Sequence, residues 1–132
     1  VRGTIVRWVV VAVIAAAAVG GCGGMGAAPL GQQVADGPAA RGAELYWARG
    51  CVNCHTVDGG MAAGPTLQGL WGSRIDLADG GTVTANRAYI VRSLRAPTAQ
   101  TADGFAGSMP AYDLTDDEID DLIAYLKTLD AP

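Results

Sequence analysis

Two thiols and an imidazole stand within five residues of one another, in Cys51-Val52-Asn53-Cys54-His55. Three chemistries use such a cluster. A redox dithiol needs a Cys-x-x-Cys pair in a βαβ context, and no such context is visible here. A zinc site needs about four ligands. Beyond these three residues only Cys22 could supply another thiolate, from across a Gly/Ala-rich stretch. The third chemistry is covalent attachment of haem, for which Cys-x-x-Cys-His is the signature. Two thiols about one helical turn apart can add to the two vinyl groups of one porphyrin edge, and the adjoining His then lies under the iron. Such a link prevents loss of the macrocycle outside the cytoplasm. This is the reading the cluster favours, with haem c, one and covalent, as cofactor.

An iron held by His55 has an opposite axial position. His55 is the sole histidine, so a second imidazole is excluded. The methionines are Met25, Met61 and Met109. Met25 lies in the Gly/Ala-rich stretch, and Met61 follows the cluster too closely to reach the far side easily. Met109 lies 54 residues beyond His55 and precedes Pro110, with ample chain to cross over. Its competing reading is a methionine filling a gap in the core. A thioether prefers ferrous iron, so His/Met ligation raises the reduction potential.

The elements that must position these groups are helical. Pro38 suits a first turn, Gly42 and Tyr46 fall at i, i+4, and Gly50 ends the pattern. Residues 56–83 are mostly Gly, Pro, Asp and Thr. They read as an ordered loop wrapped on something, here the cofactor. A second helix is predicted over Thr84 to Arg95, with Ile90, Val91 and Leu94 as its stripe and Pro97 as its stop. Thr115 opens the last helix, with Glu118 completing a capping box and Asp116, Asp117 and Glu118 at the positive end of the dipole. Ile119, Leu122, Ile123 and Leu126 recur at helical spacing. No stretch reads as a strand, so the fold class is all-α, with helices packed around one haem.

The chain has 132 residues. Residues 1–21 read as a lipoprotein-type signal peptide: Arg2 and Arg7 precede an apolar run from Trp8 to Val19, too short for a stable span of roughly 20 residues. Residues 22–38 read as a flexible linker and residues 39–132 as one small domain. Loss of the signal would leave 13 acidic residues against the basic ones without Arg2 and Arg7, and Lys127 is the only lysine. Nucleic acid needs a basic footprint and is excluded as a partner. Val19-Gly20-Gly21-Cys22 resembles a bacterial lipobox, which makes Cys22 the expected lipidation site. Several acyl chains would anchor firmly where one would not.

From about Pro38 to Leu129 the chain resembles small class I cytochromes c. It is most similar to the cytochrome c domain fused to subunit II of some bacterial haem–copper oxidases. The matching stretches are Gly50 to Thr56, Gly64-Pro65-Thr66-Leu67-Gln68-Gly69-Leu70-Trp71-Gly72, Gly81 to Thr84, Ala88-Tyr89-Ile90 with Leu94 and Pro97, Met109-Pro110-Ala111-Tyr112, and Leu114 to Ile119. The resemblance implies that the Pro65 carbonyl accepts a hydrogen bond from the His55 ring, orienting the ligand, and that Leu67 packs on the haem. It implies that Gly42 and Tyr46 cross Leu122 and Tyr125. Trp71 lines the haem edge or is ordinary core. One histidine cannot furnish the oxidase subunit's dinuclear copper site, and the lysine-rich rim of many soluble relatives is lacking.

The function these readings imply is electron transfer without substrate chemistry. The expected protein is a tethered mono-haem carrier on the outer face of a bacterial cytoplasmic membrane. It would pass single electrons between a quinol-oxidising complex and a terminal oxidase in a respiratory chain. The competing readings are a cytochrome subunit of a periplasmic dehydrogenase complex, and an open-coordinate haem acting as sensor or peroxidase.

Overall fold

The computed structural model describes residues 36–105 and 109–129. The expected signal segment, Cys22 and nearly all of the expected linker lie outside the described residues. Among the described residues the domain has three helices and one hairpin. Helix α1 runs over Pro38–Ala48, strands β1 and β2 over Arg74–Asp76 and Thr82–Thr84, helix α2 over Arg87–Arg95 and helix α3 over Asp116–Leu126. Two single 3-10 turns, Cys51–Asn53 and Pro97–Ala99, follow α1 and α2. None of the helices described is long and apolar enough to cross a membrane.

Helix α1 begins with Pro38 in its first turn, where the missing N–H has no partner to lose. Gly50, at φ +73°, turns the chain out of the helix toward Cys51. Helix α3 carries the full capping box: the Thr115 hydroxyl accepts from the Glu118 N–H at 3.2 Å, and Glu118 accepts from the Thr115 N–H at 2.8 Å. Its stripe of Ile119, Leu122, Ile123 and Leu126 is buried, as the spacing predicts. With Tyr46, Ile90, Leu94 and Leu114 it forms the core.

The α1–α3 crossing is the tightest contact in the domain. A Cβ on Gly42 would fall on the Asp121 carbonyl and within 2.8 Å of the Tyr125 Cβ, so only glycine lets the backbones approach this closely. Tyr46 stacks obliquely on Tyr125 at 5.8 Å between ring centroids. The expected crossing of Gly42 and Tyr46 with Leu122 and Tyr125 is present.

Two expectations need correction. The segment 56–83 is not wholly irregular: β1 and β2 pair antiparallel, Ile75 opposite Val83. Asp79-Gly80 supplies the reversal, with Gly80 at φ +85° and Asp79 accepting the Gly81 N–H at 2.9 Å. Strands three residues long give no alternation to read, which is why the hairpin escapes a pattern search. The second helix begins not at Thr84 but at Arg87. Thr84 pairs with Arg74, and Asn86 takes the cap by accepting from the Tyr89 N–H at 3.1 Å.

The acids of α3 are largely neutralised by arginines of α1, α2 and the turn after α1. Arg41 holds Asp121 through two bonds of 2.7 Å, Arg49 meets Glu118 at 2.9 Å, Arg87 meets Asp120 at 2.8 Å, and Arg95 meets Asp116 at 2.9 Å. The run of acids, conspicuous in the sequence, is a set of inter-helix ion pairs.

Candidate functional site: a haem cleft

The 3-10 turn after α1 brings the Cys51 and Cys54 side chains to one wall of an apolar cleft. Within the turn, the Cys54 and His55 N–H groups both donate to the Cys51 carbonyl, at 3.1 and 2.9 Å. Cys51 is half-buried, and burial pushes its thiol pKa up. Cys54 is exposed at the mouth.

His55 is held from two sides. Its Nδ1–H donates to the Pro65 carbonyl at 2.7 Å, which leaves Nε2 as the free nitrogen. The Tyr46 hydroxyl donates to the His55 carbonyl, also at 2.7 Å. Gly64 closes over the ring: a Cβ there would come within 2.6 Å of His55 Cε1. The Gly64 N–H donates back to the Cys54 carbonyl at 2.7 Å, tying the following loop to the turn.

The cleft has an atom-free volume of about 1260 Å³, its mouth included. All six residues expected at the site line it: Cys51, Cys54, His55, Pro65, Leu67 and Met109. Leu122, Leu126, Ile90 and Leu94 form its floor from α3 and α2. No lysine or arginine lines it, and the tyrosines at its edge, Tyr46, Tyr89, Tyr112 and Tyr125, have phenol pKa values raised by burial. They are neutral donors at physiological pH. Met61, by contrast, is 98% exposed, and Trp71 lies outside the lining with Lys127 Nζ 4.6 Å over its ring.

Such a cleft suits a flat apolar macrocycle bound by its edge. Among the described residues no three His, Cys, Asp or Glu side chains are grouped to hold a bare metal ion. One imidazole nitrogen and one thioether fit an iron whose other ligands come from a porphyrin, and the two thiols fit its vinyl edge.

Sequence reading missed two residues of the site and one bond. Gln100 fastens the 3-10 turn after α2 by donating to the Tyr89 carbonyl at 3.1 Å and the Ser93 hydroxyl at 3.3 Å. Phe105 closes the lining on that side. Neither lies in a periodic segment that would single it out. The Tyr46–His55 bond had a signal, since a helix-crossing aromatic with a hydroxyl needs an acceptor when buried.

Comparisons with known proteins agree with this geometry. The family model for cytochrome c matches residues 39–130. The chain is 36% identical over 108 residues to cytochrome c of Gibberella zeae, covering 71% of this chain and 96% of that relative. It also superimposes on the structure of cytochrome cH from Methylobacterium extorquens with a TM-score of 0.54 and 27% identity, over 70% of this chain and 99% of that one. Members of this family hold haem c covalently, usually one per domain, and carry electrons without catalysing a reaction. The chain belongs to the cytochrome c family.

Proposed function

We propose that the protein is a mono-haem carrier tethered to the outer face of a bacterial membrane. It passes single electrons from a quinol-oxidising complex to a terminal oxidase. Cys51 and Cys54 would hold the haem through thioethers, His55 Nε2 and the Met109 sulfur would supply ligands to its iron, Pro65 would orient His55, and Leu67 would pack on the ring. Bound haem supplies a one-electron couple; the chain sets its potential and excludes water. The observation that carries this reading is the cleft itself, with an imidazole oriented through Nδ1 at 2.7 Å and a methionine among the residues lining the same cavity. Thioether attachment survives denaturation. The haem is therefore expected to stay with the polypeptide on a denaturing gel and through acid–acetone extraction, and its release by acid–acetone would end this assignment.

The tether rests on the lipobox-like Val19-Gly20-Gly21-Cys22, and the oxidase on the likeness of the 50–56, 64–72, 109–112 and 114–119 stretches to oxidase-fused cytochrome domains. Cys22→Ser is expected to leave haem attachment intact and to move the haem domain from membranes to the soluble fraction. Mass spectrometry of the native N-terminus checks the anchor, and absence of an acyl mass on Cys22 would remove it. Co-purification of the native membrane protein, read by visible spectra, separates an oxidase partner from a dehydrogenase complex.

A further inference from the structure

Packing explains the ring of Tyr46 but not its hydroxyl. Gly42 and Tyr46 are the buried residues of α1. The bare Gly42 lets α1 settle against α3, and the Tyr46 ring then lies 5.8 Å from that of Tyr125. A phenylalanine would fill the same place. Tyr46 is 2% exposed, and a buried hydroxyl is costly unless it finds a partner. Its partner is the His55 carbonyl, at 2.7 Å.

That carbonyl differs from its neighbours. The carbonyls of Cys51, Cys54 and Thr56 are each taken by a backbone N–H of the turn or of the loop that follows it. His55 lies past the end of the 3-10 turn, in no helix or strand. Among the described residues no backbone N–H reaches its carbonyl. The Tyr46 hydroxyl satisfies it instead, from nine residues back in α1.

With that bond, every polar handle of His55 except Nε2 is occupied. The His55 N–H donates to the Cys51 carbonyl at 2.9 Å, the carbonyl accepts from Tyr46, and Nδ1–H donates to the Pro65 carbonyl at 2.7 Å. A side chain hangs from a Cα held between two peptide planes. Cys51 fixes the plane before His55 and Tyr46 the plane after it. The ring therefore has a set base from which its Nδ1–H meets Pro65.

We infer that the Tyr46 hydroxyl is a positioning group for the imidazole of His55: by holding the peptide after His55, it keeps Nδ1–H close on the Pro65 carbonyl. This rests on the carrier reading above. A hydrogen bond from Nδ1–H raises the basicity of a ligating histidine, and a more basic ligand favours ferric over ferrous iron. Tyr46 thus lowers the reduction potential by acting through His55. Loss of the hydroxyl leaves a partly buried carbonyl without its partner, loosens the base of the ring and raises the potential.

The test uses the full-length holoprotein. Tyr46→Phe keeps the ring's share of the cleft lining and removes only the hydroxyl. Thr115→Ala is the comparison, because it weakens the fold at the α3 cap, away from the cleft lining. Two quantities are measured on each: the exchange rate of the His55 Nδ1 proton, by NMR of the ferrous protein, and the redox equilibrium with a reference couple of fixed potential. In Tyr46→Phe that proton is expected to exchange about tenfold faster, the scale of one net hydrogen bond. The redox equilibrium should shift severalfold toward the reduced carrier, with the haem still attached. Replacing Tyr46 by 4-aminophenylalanine, which returns an N–H donor to the same point, should recover most of both. Thr115→Ala should change neither. Either quantity at its wild-type value in Tyr46→Phe, or a shift toward the oxidised carrier, overturns the assignment. So do equal changes in Thr115→Ala, because lost stability then accounts for them, and so does a failure of 4-aminophenylalanine to restore the wild-type values. Wild type that carries no covalent haem, or shows no reversible one-electron couple, would instead remove the carrier reading itself.

Discussion

The two sides of the cleft are built differently. On the His55 side, the stretch from Gly50 to Leu67 is closed on itself by short-range bonds. Gly50, Cys51, Cys54 and Thr56 each offer a carbonyl to an N–H within eleven residues, and Tyr46 and Pro65 bind His55 at 2.7 Å. The described part of the Met109 side hangs from fewer points. The Tyr112 N–H donates to the Leu94 carbonyl at 2.8 Å, and Arg95 reaches the Leu114 carbonyl at 3.4 Å. The proposed ligand His55 sits in a cage and the proposed ligand Met109 on a strap. Among the described residues the strap has the fewer bonds, so ligand exchange at the proposed haem is expected on the Met109 side.

The largest effect expected from this contrast is on the caged side. Cys51→Ser or Cys54→Ser should each break a thioether, and the double substitution should yield protein without covalent haem, read by haem stain on a denaturing gel. A double variant that still stains would show that the turn is not the attachment site.

On the strap, Met109→Ala should leave the haem attached, allow ferrous protein to bind carbon monoxide readily, and lower the reduction potential. Wild type should bind carbon monoxide poorly. Fast binding by wild type at neutral pH would reverse the contrast and favour the sensor or peroxidase reading.

Leu122 serves both sides, lining the cleft and filling the crossing. Leu122→Ala is expected to destabilise by roughly 2–5 kcal/mol, against a total of about 5–15 kcal/mol for a small domain. Chemical denaturation of apo- and holoprotein should show the larger loss of folded population in the apoprotein. A holoprotein that melts like wild type, together with an unaltered apoprotein, would deny Leu122 its core role.

The smallest effect concerns the cap that ends the strap. Thr115→Ala should cost about 0.5–2 kcal/mol. The Thr115 N–H and the Arg49 guanidinium hold the Glu118 carboxyl below its usual pKa. A carboxylate whose pKa is lower folded than unfolded contributes its stability above the unfolded value and loses it as pH falls through the folded one. Arg49→Gln should therefore lower the neutral plateau slightly and shrink the acid limb of a pH–stability curve by the same small amount, since exposed pairs contribute little. A plateau shift larger than the change in the acid limb would mean that Arg49 acts through packing.

How much of this was legible in the sequence depended on whether local rules and tertiary contacts agreed. The α3 stripe, its capping box and the Pro38 start carry their own signals, and all three hold in the structure. The cleft lining was legible where a motif or a helix period fell on it, as at Cys51, His55 and Leu122. Thr84 misled because Thr and Asn are both good caps and only strand pairing with Arg74 decides between them. Gln100 was silent because its role lies in bonds to Tyr89 and Ser93 that no period predicts. The ion pairs of α3 were silent in another way. A sequence shows the density of the acids but not the four arginines that come to meet them.

The crossing of α1 and α3 has a consequence for how the chain reaches its native state. Arg41 and Asp121, bonded at 2.7 Å, are 80 residues apart in sequence. Contacts so distant in the chain are late and slow to form, because the intervening loop must close first. During synthesis the opening helix finds no mate until the last turn of the final helix has been made. Through all that time the Cys51–His55 stretch lacks the crossing that buttresses its cage from the Tyr46 side, and its thiols are accessible to whatever joins them to the macrocycle. Placing the closing contact at the two ends of the domain leaves the Cys51–His55 turn without its buttress until the whole domain has been made.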